Sequence, residues 1–237
     1  MSTNATEADA VPSTTAPGKQ LLIEAALRLI SSSRSLSSIG LRELAREAGL
    51  NPNTFYRHFR DVDDLGLTII RQIATQLRRP LCELRREAAQ RAELNPSTGA
   101  VLFGIDIQRG RRVCHETVKL FFDFVEKNPE AFMVGVRELH GPSPVLRVAL
   151  AELMDDFAVD MARDIIAYKL LPDMLEERVV LQISNLVSRL LFQLSLDYIC
   201  SPQSRDHVRT MAEEQVVMLF TGASVLQSMG QLQLPAG

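Results

Sequence analysis

Between Arg42 and Arg60 the chain concentrates side chains that can read a polyanion. Asn51, Asn53, Thr54, Tyr56, Arg57 and His58 fall within two helical turns, with Arg42 upstream and Arg60 just beyond. Amides and hydroxyls suit base edges, and cations and phenols suit phosphates. Asn53 and Thr54, at the start of the segment, are expected to reach bases. Arg42, Tyr56, Arg57, His58 and Arg60 are expected to serve mainly phosphates. Other chemistry is sparse. His58, His115, His140 and His207 are scattered, without an HExxH pair, and Gly104 and Gly110 make no phosphate loop. No spacing joins a nucleophile to a base. Cys82, Cys114 and Cys200 are widely spaced and lack a CxxC pair, so disulfides and a zinc site are not expected and a reducing cytoplasm is. The expectation is a non-enzyme with no catalytic residues, no cofactor and no metal.

The elements that must position the polar group are legible nearby. Leu41, Leu44, Ala45 and Ala48 share one helical face, and Arg42, Glu43, Arg46 and Glu47 cover the other. Gly49 follows where a helix end favours positive φ. Asn51 can cap the next helix and Pro52 suits its first turn. Phe55 and Phe59, four apart, can pack back on the first helix, leaving Asn53, Thr54, Tyr56, Arg57 and His58 to project outward. This predicts two short helices joined by a tight turn. Gly40 is a weak cap for the first, and Ser38 could serve with a shifted boundary. Residues 19–60 carry seven Lys or Arg against three Glu, a net of +4, leaving −7 for the rest of a chain whose total is −3. A basic end on an acidic body directs polyanion binding to that end.

The segment from Lys19 to about Leu65 resembles the DNA-binding domain of the TetR family of transcriptional regulators. The resemblance rests on the helix Gln20–Ile30, on LRELAREAGL, on NPNTFYRHF with its T-x-Y-x-x-F of Thr54, Tyr56 and Phe59, and on the acidic DVDDL. REAGLNPNTFYRHFRDVDDLGL looks more narrowly like the subgroup controlling unsaturated fatty acid synthesis and desaturation. Two positions depart: Gly40 stands where the family has Thr or Ser, and Val62 where it often has a phosphate-binding Lys. The resemblance implies a homodimer on a palindromic operator in double-stranded DNA, repression, and an apolar effector, a long-chain acyl-CoA being the candidate. A constitutive DNA-binding regulator and a helical carrier of apolar molecules are the alternatives.

The periodicity beyond Asp61 stays helical, and the chain is expected to be all-α. It divides into a disordered arm (1–18), a helix-turn-helix domain (19–65) and a helical sensing and dimerisation domain (66–230). The N-terminal stretch lacks the regions of a signal peptide. The most apolar window, Val179 to Leu196, contains Gln182, Asn185, Arg189 and Gln193 and reads as a buried helix, not a membrane span. Helices are expected over Asp63–Arg79, with Pro80 interrupting or starting the next one toward Glu93, then Val113–Lys127, Pro129–Leu139, a long one through Tyr168, Glu176–Ile199 and Ser204–Met229. Residues 95–112 resist assignment. Ten Phe and no Trp suit either a core or an apolar cavity, for which Phe121, Phe124, Phe132, Met133, Phe157 and Met161 are the candidates. Arg137 and His140 are its polar candidates, against an Arg137 pair with Glu130 or Glu138 and a turn role for His140. Arg109, Arg111 and Arg112 form either a solvated loop or a docking patch for CoA phosphates. The resemblance implies that the last two helices pair with their copies in a second subunit; Ser184, Ser188, Leu191 and Ser195, with Phe220 and Ser224, are the candidate dimer face, where small residues permit close helix approach, against ordinary core.

Overall fold

The computed structural model describes residues 17–31, 35–94, 101–102, 105–170 and 175–233. It is all-α apart from one two-residue hairpin. Helix α1 (Pro17–Ser31) leads through a 3-10 turn (Leu36–Ser38) to α2 (Leu41–Glu47). A second 3-10 turn (Pro52–Thr54) runs directly into α3 (Phe55–His58). Then come α4 (Val62–Leu94), strands β1 (Val101–Leu102) and β2 (Ile105–Asp106), and α5 (Ile107–Lys127). The strands pair antiparallel, Val101 opposite Asp106. Helices α6 (Pro129–Leu139), α7 (Pro144–Ala167), α8 (Glu177–Cys200) and α9 (Arg205–Ser228) complete the chain.

Prolines mark the starts they are suited to mark. Pro129 and Pro144 stand at first helical positions, where a missing N–H costs nothing. Ser143 caps α7 by accepting from the Leu146 N–H. Pro80 behaves differently from expectation: α4 runs through it as one helix of 33 residues, about 50 Å long. Proline cannot donate to the Gln76 carbonyl, a loss of about 3 kcal/mol in a helix interior. Its ring faces outward, while Leu77 and Leu81 on either side are buried and keep the helix seated. The segment that resisted assignment contributes the hairpin and the first turns of α5, which starts at Ile107, not Val113. Helix α1 begins at Pro17, inside the stretch read as an arm; residues 1–16 lie outside the described residues.

Helix α4 packs along α5 and α7, α7 lies on α8, and α9 closes over α5 and α8. Helix α8 is long and apolar enough to cross a bilayer, yet 56% of its apolar window is buried in this fold. Three ion pairs fasten α4 to α7. Arg78 bonds Asp156 at 2.6 Å and Asp160 at 2.8 Å, and Arg85 bonds Asp164 at 2.6 Å. Each set recurs at whole helical turns, so it occupies one face of its helix.

The small N-terminal domain is fastened to the larger one by α6 as well as by α4. Arg137 donates to the Ile30 carbonyl at the end of α1. Buried Glu138 accepts from the Leu36 N–H at 2.6 Å. A Cβ at position 141 would stand 2.6 Å from the Glu138 carboxylate, so Gly141 is what lets that carboxylate lie over the turn.

Candidate nucleic-acid interface and ligand cavity

The recognition segment is built as its sequence requires. Leu44 and Ala45 of α2 are buried, and Phe55 and Phe59 pack 5.6 Å apart against them and α1. Gly49 has φ +66°, and Leu50 donates back to the Ala45 carbonyl at 2.8 Å, the six-to-one bond that closes a helix with a left-handed residue. The Asn51 side chain accepts from the Asn53 N–H at 2.9 Å, so Asn51 holds the segment's start. No side chain caps α2: Gly40 has none, and the Ser38 hydroxyl donates to the Ser35 carbonyl instead. Arg28 and Glu47 tie α1 to α2 at 2.9 Å.

Arg42, Asn53, Tyr56 and Arg57 are exposed, and Thr54 is half-buried. The Tyr56 ring meets Phe55 edge-on at 5.6 Å but stays 64% exposed. His58 departs from the outward set. It is half-buried, and its Nε2 comes 2.8 Å from where a Cβ on Gly18 would be, so it packs against the start of α1. Arg60 faces solvent while its backbone N–H donates to Asp64, whose carboxyl it and neighbouring charges hold below the usual carboxylate range.

The larger domain contains two adjoining apolar chambers. The outer, about 100 Å³, is walled by Val113, Cys114, Thr117, Met161, Ile165, Val187, Leu191, Val216 and Phe220. The inner, about 40 Å³, lies among Leu77, Leu81, Phe121, Phe132, Phe157 and Phe192. Arg85, Thr117, Met161 and Leu191 belong to both. Arg111 joins the outer chamber to an open surface groove of about 500 Å³ edged by Arg91, Arg112, His115, Glu116 and Glu213. Arg111 is itself held by Glu214, and His115 stands 3.0 Å from Glu213.

Phe121, Phe132, Phe157 and Met161 line the inner chamber together, and four other candidates lie elsewhere. Phe124 packs on the outer side of Phe132 with centroids 6.0 Å apart. Met133 lines neither chamber. Arg137 is spent on the Ile30 carbonyl, and His140 is an exposed residue closing α6. Arg109 donates to the Tyr168 carbonyl, so the cationic patch consists of Arg91, Arg111 and Arg112. The six residues expected at a dimer face are corrected too. Ser184, Ser188, Leu191, Ser195, Phe220 and Ser224 are all buried inside the protomer. Ser188, Ser195 and Ser224 donate to carbonyls at 2.6–2.9 Å, and Leu191 and Phe220 line the outer chamber. Their small volume draws α8 and α9 into the core.

What remains outside on those helices is a different stripe. Leu181 and Leu186 on α8, Met218 and Leu226 on α9, and Met229 just past its end are exposed. Met211, Gln215, Met218, Gly222, Val225 and Met229 recur at alternating spacings of four and three, a continuous helical seam.

Cys114 lines the outer chamber and is half-buried, as is Cys82 beside Arg85, while Cys200 is exposed. Burial pushes the Cys114 thiol up to about 12, so it stays almost wholly protonated, and unreactive, at pH 8. Alkylation at pH 8 is expected to mark exposed Cys200 and spare Cys114, read by peptide mass spectrometry. Rapid marking of Cys114 would show that the chamber wall opens.

Residues 22–67 match the family of bacterial regulatory proteins described as tetR. Solved structures similar to this chain share its fold at low identity. The fatty acid degradation regulator FadR of Bacillus halodurans superposes with a TM-score of 0.62 at 13% identity, over 88% of this chain and 97% of that one. FadR of Bacillus subtilis, solved in complex with stearoyl-CoA, gives 0.60 at 14% identity, over 86% and 98%. A transcriptional regulator of Rhodococcus sp. Rha1 gives 0.61 at 17%, over 88% and 97%.

Proposed function

We propose that this chain, a DNA-binding transcriptional regulator with a TetR-family N-terminal domain, is a cytoplasmic, homodimeric repressor of lipid-metabolism genes released from a palindromic operator by a long-chain acyl-CoA. The observation that carries the effector is the continuity from a cationic surface groove, past Arg111, into apolar chambers. An acyl-CoA needs that sequence of environments: cations for its phosphates, then apolar walls, where each buried CH₂ contributes about 0.8 kcal/mol. The Bacillus subtilis neighbour was solved with a ligand of this class. Ligand-sized sites run to about 300–1,000 Å³, more than the two chambers hold. A long chain therefore has to displace Met161 and Leu191, the apolar side chains common to both, and methionine re-forms readily. That displacement pushes on α7 and α8 and, through the ion pairs, on α4.

Titrating an operator complex with palmitoyl-CoA is expected to release the DNA, followed by fluorescence anisotropy. The effector must prefer the released state, since equal affinity for both states shifts nothing. If no acyl-CoA binds, or binding leaves operator affinity unchanged, a constitutive regulator is the better reading. The intact geometry around Gly49 and Asn51 speaks against a carrier with a vestigial helix-turn-helix.

On the DNA side, Asn53→Ala and Thr54→Ala are each expected to cost about 1–3 kcal/mol and relax sequence preference at one position. Arg57→Ala is expected to weaken all sequences alike and flatten the salt dependence. Unchanged selectivity of both Ala variants on a selected operator would remove the assignment.

A further inference from the structure

The two apolar chambers meet at one buried cation. Arg85 is 4% exposed and forms part of both walls. Its Nε donates to Asp164 at 2.6 Å, and its Nη2 lies 3.5 Å from the Cys82 sulfur. Its Nη1 makes no bond to any described residue. The neighbouring hydroxyls do not take it up: Thr117 donates to the Val113 carbonyl at 2.7 Å and Ser188 to the Met154 carbonyl at 2.8 Å, and neither accepts from Arg85. Arg111, the other cation on the outer wall, sits at the mouth and is bonded to Glu214. The fold thus keeps a guanidinium N–H without an acceptor in an otherwise apolar space. That N–H is available to an acceptor that enters the space.

Resting on the acyl-CoA reading above, we propose that Arg85 reads the acyl oxygen of the thioester, donating to it from Nη1 while Asp164 holds the guanidinium in place. Three observations place the thioester there. Arg91 and Ala88 on α4 edge the cationic groove, Arg85 the outer chamber, and Leu81 and Leu77 the inner one. The cationic groove, Arg85 and the inner chamber therefore follow in that order along one helix. A carbonyl oxygen is an acceptor only, and Arg85 offers donors only. The Asp164 carboxylate balances the charge, so the guanidinium is already oriented before ligand arrives. Asp164 is accordingly a positioning residue and Arg85 the specificity-determining one: it separates an acyl thioester from any alkyl chain of equal length.

The test compares palmitoyl-CoA with S-hexadecyl-CoA, a thioether of the same chain length that lacks the acyl oxygen. Binding to the full-length dimer is measured by calorimetry. Wild type is expected to prefer the thioester by about tenfold or more, the scale of one hydrogen bond to a charged donor. Arg85→Met combined with Asp164→Leu removes both charges together, and its preference is expected to fall to about one. In the infrared, the ¹³C-labelled thioester carbonyl band is expected to move to lower wavenumber on binding wild type and not the pair variant. Equal affinity of wild type for both ligands would overturn the role of Arg85 while leaving the acyl-CoA effector standing. Failure of both ligands to bind would overturn the two together. The wild-type comparison and the infrared band need no variant, so poor folding of the pair replacement leaves the test intact.

Discussion

Arg85→Ala is expected to lower the stability of the protein by about 3–5 kcal/mol, because it strands a buried carboxylate. The Asp164 side chain is 12% exposed and its partner 5%, so water cannot replace the lost guanidinium. In a chain of this size each kcal/mol moves Tm by about 2–4 °C, which puts the fall near 10 °C, measured by calorimetry at fixed protomer concentration. Replacing both partners by apolar residues is expected to restore most of it, since a buried ion pair returns little beyond its desolvation cost. Arg78→Ala is the control. Arg78 is 35% exposed, and its loss is expected to cost about 1 kcal/mol. Equal effects at Arg78 and Arg85 would show that burial does not govern the ladder between α4 and α7.

Leu186→Glu with Met218→Glu is expected to convert the protein to monomers at micromolar concentration and to weaken operator binding by about a hundredfold or more. These two side chains are exposed in the protomer, Met218 on the α9 seam and Leu186 on α8. A second copy is the occupant proposed for it, because a palindrome demands two reading heads about 34 Å apart. Once the pair is broken, the second head loses its millimolar effective concentration at the neighbouring half-site. Analytical ultracentrifugation reads the mass, and far-ultraviolet circular dichroism checks that the helices persist. A dimer that survives both charges would move the interface to another surface.

Local rules account for most of what the sequence revealed. Gly49, Asn51 and Pro52 each have a specific backbone role, and so the turn between α2 and the recognition segment was readable. Pro129 likewise placed the start of α6, while Pro144, read as the end of a turn, is the first residue of α7. Pro80 misled because its cost is local while its compensation, the burial of Leu77 and Leu81, is tertiary. Periodicity showed that α8 and α9 carry apolar faces, but each helix has two, and composition does not say which one turns inward. The small serine face did, because it permits closer packing, and the bulkier Leu186 and Met218 stayed outside. Arg137 illustrates the other limit: its partner, the Ile30 carbonyl, is 107 residues away. The ladder was available in principle. Asp156, Asp160 and Asp164 at intervals of four, and Arg78 and Arg85 at seven, lie among apolar residues where charges need partners.

Pro80 gives α4 the mechanics of a jointed lever. It stands between the two points at which the helix is pinned to α7, Arg78 below and Arg85 above. The missing bond to the Gln76 carbonyl makes this the most compliant point along the rod. The arm below it, about 18 residues and about 27 Å long, leads down to the reading head, so a bend of about 10° swings that end by about 5 Å. In a two-fold pair the arms swing oppositely, changing the gap between heads by about 10 Å against a DNA repeat of about 34 Å. On the effector reading proposed above, that missing N–H sets the gear ratio by which displacement of Met161 and Leu191 at the chamber wall becomes a mismatch of pitch at the groove.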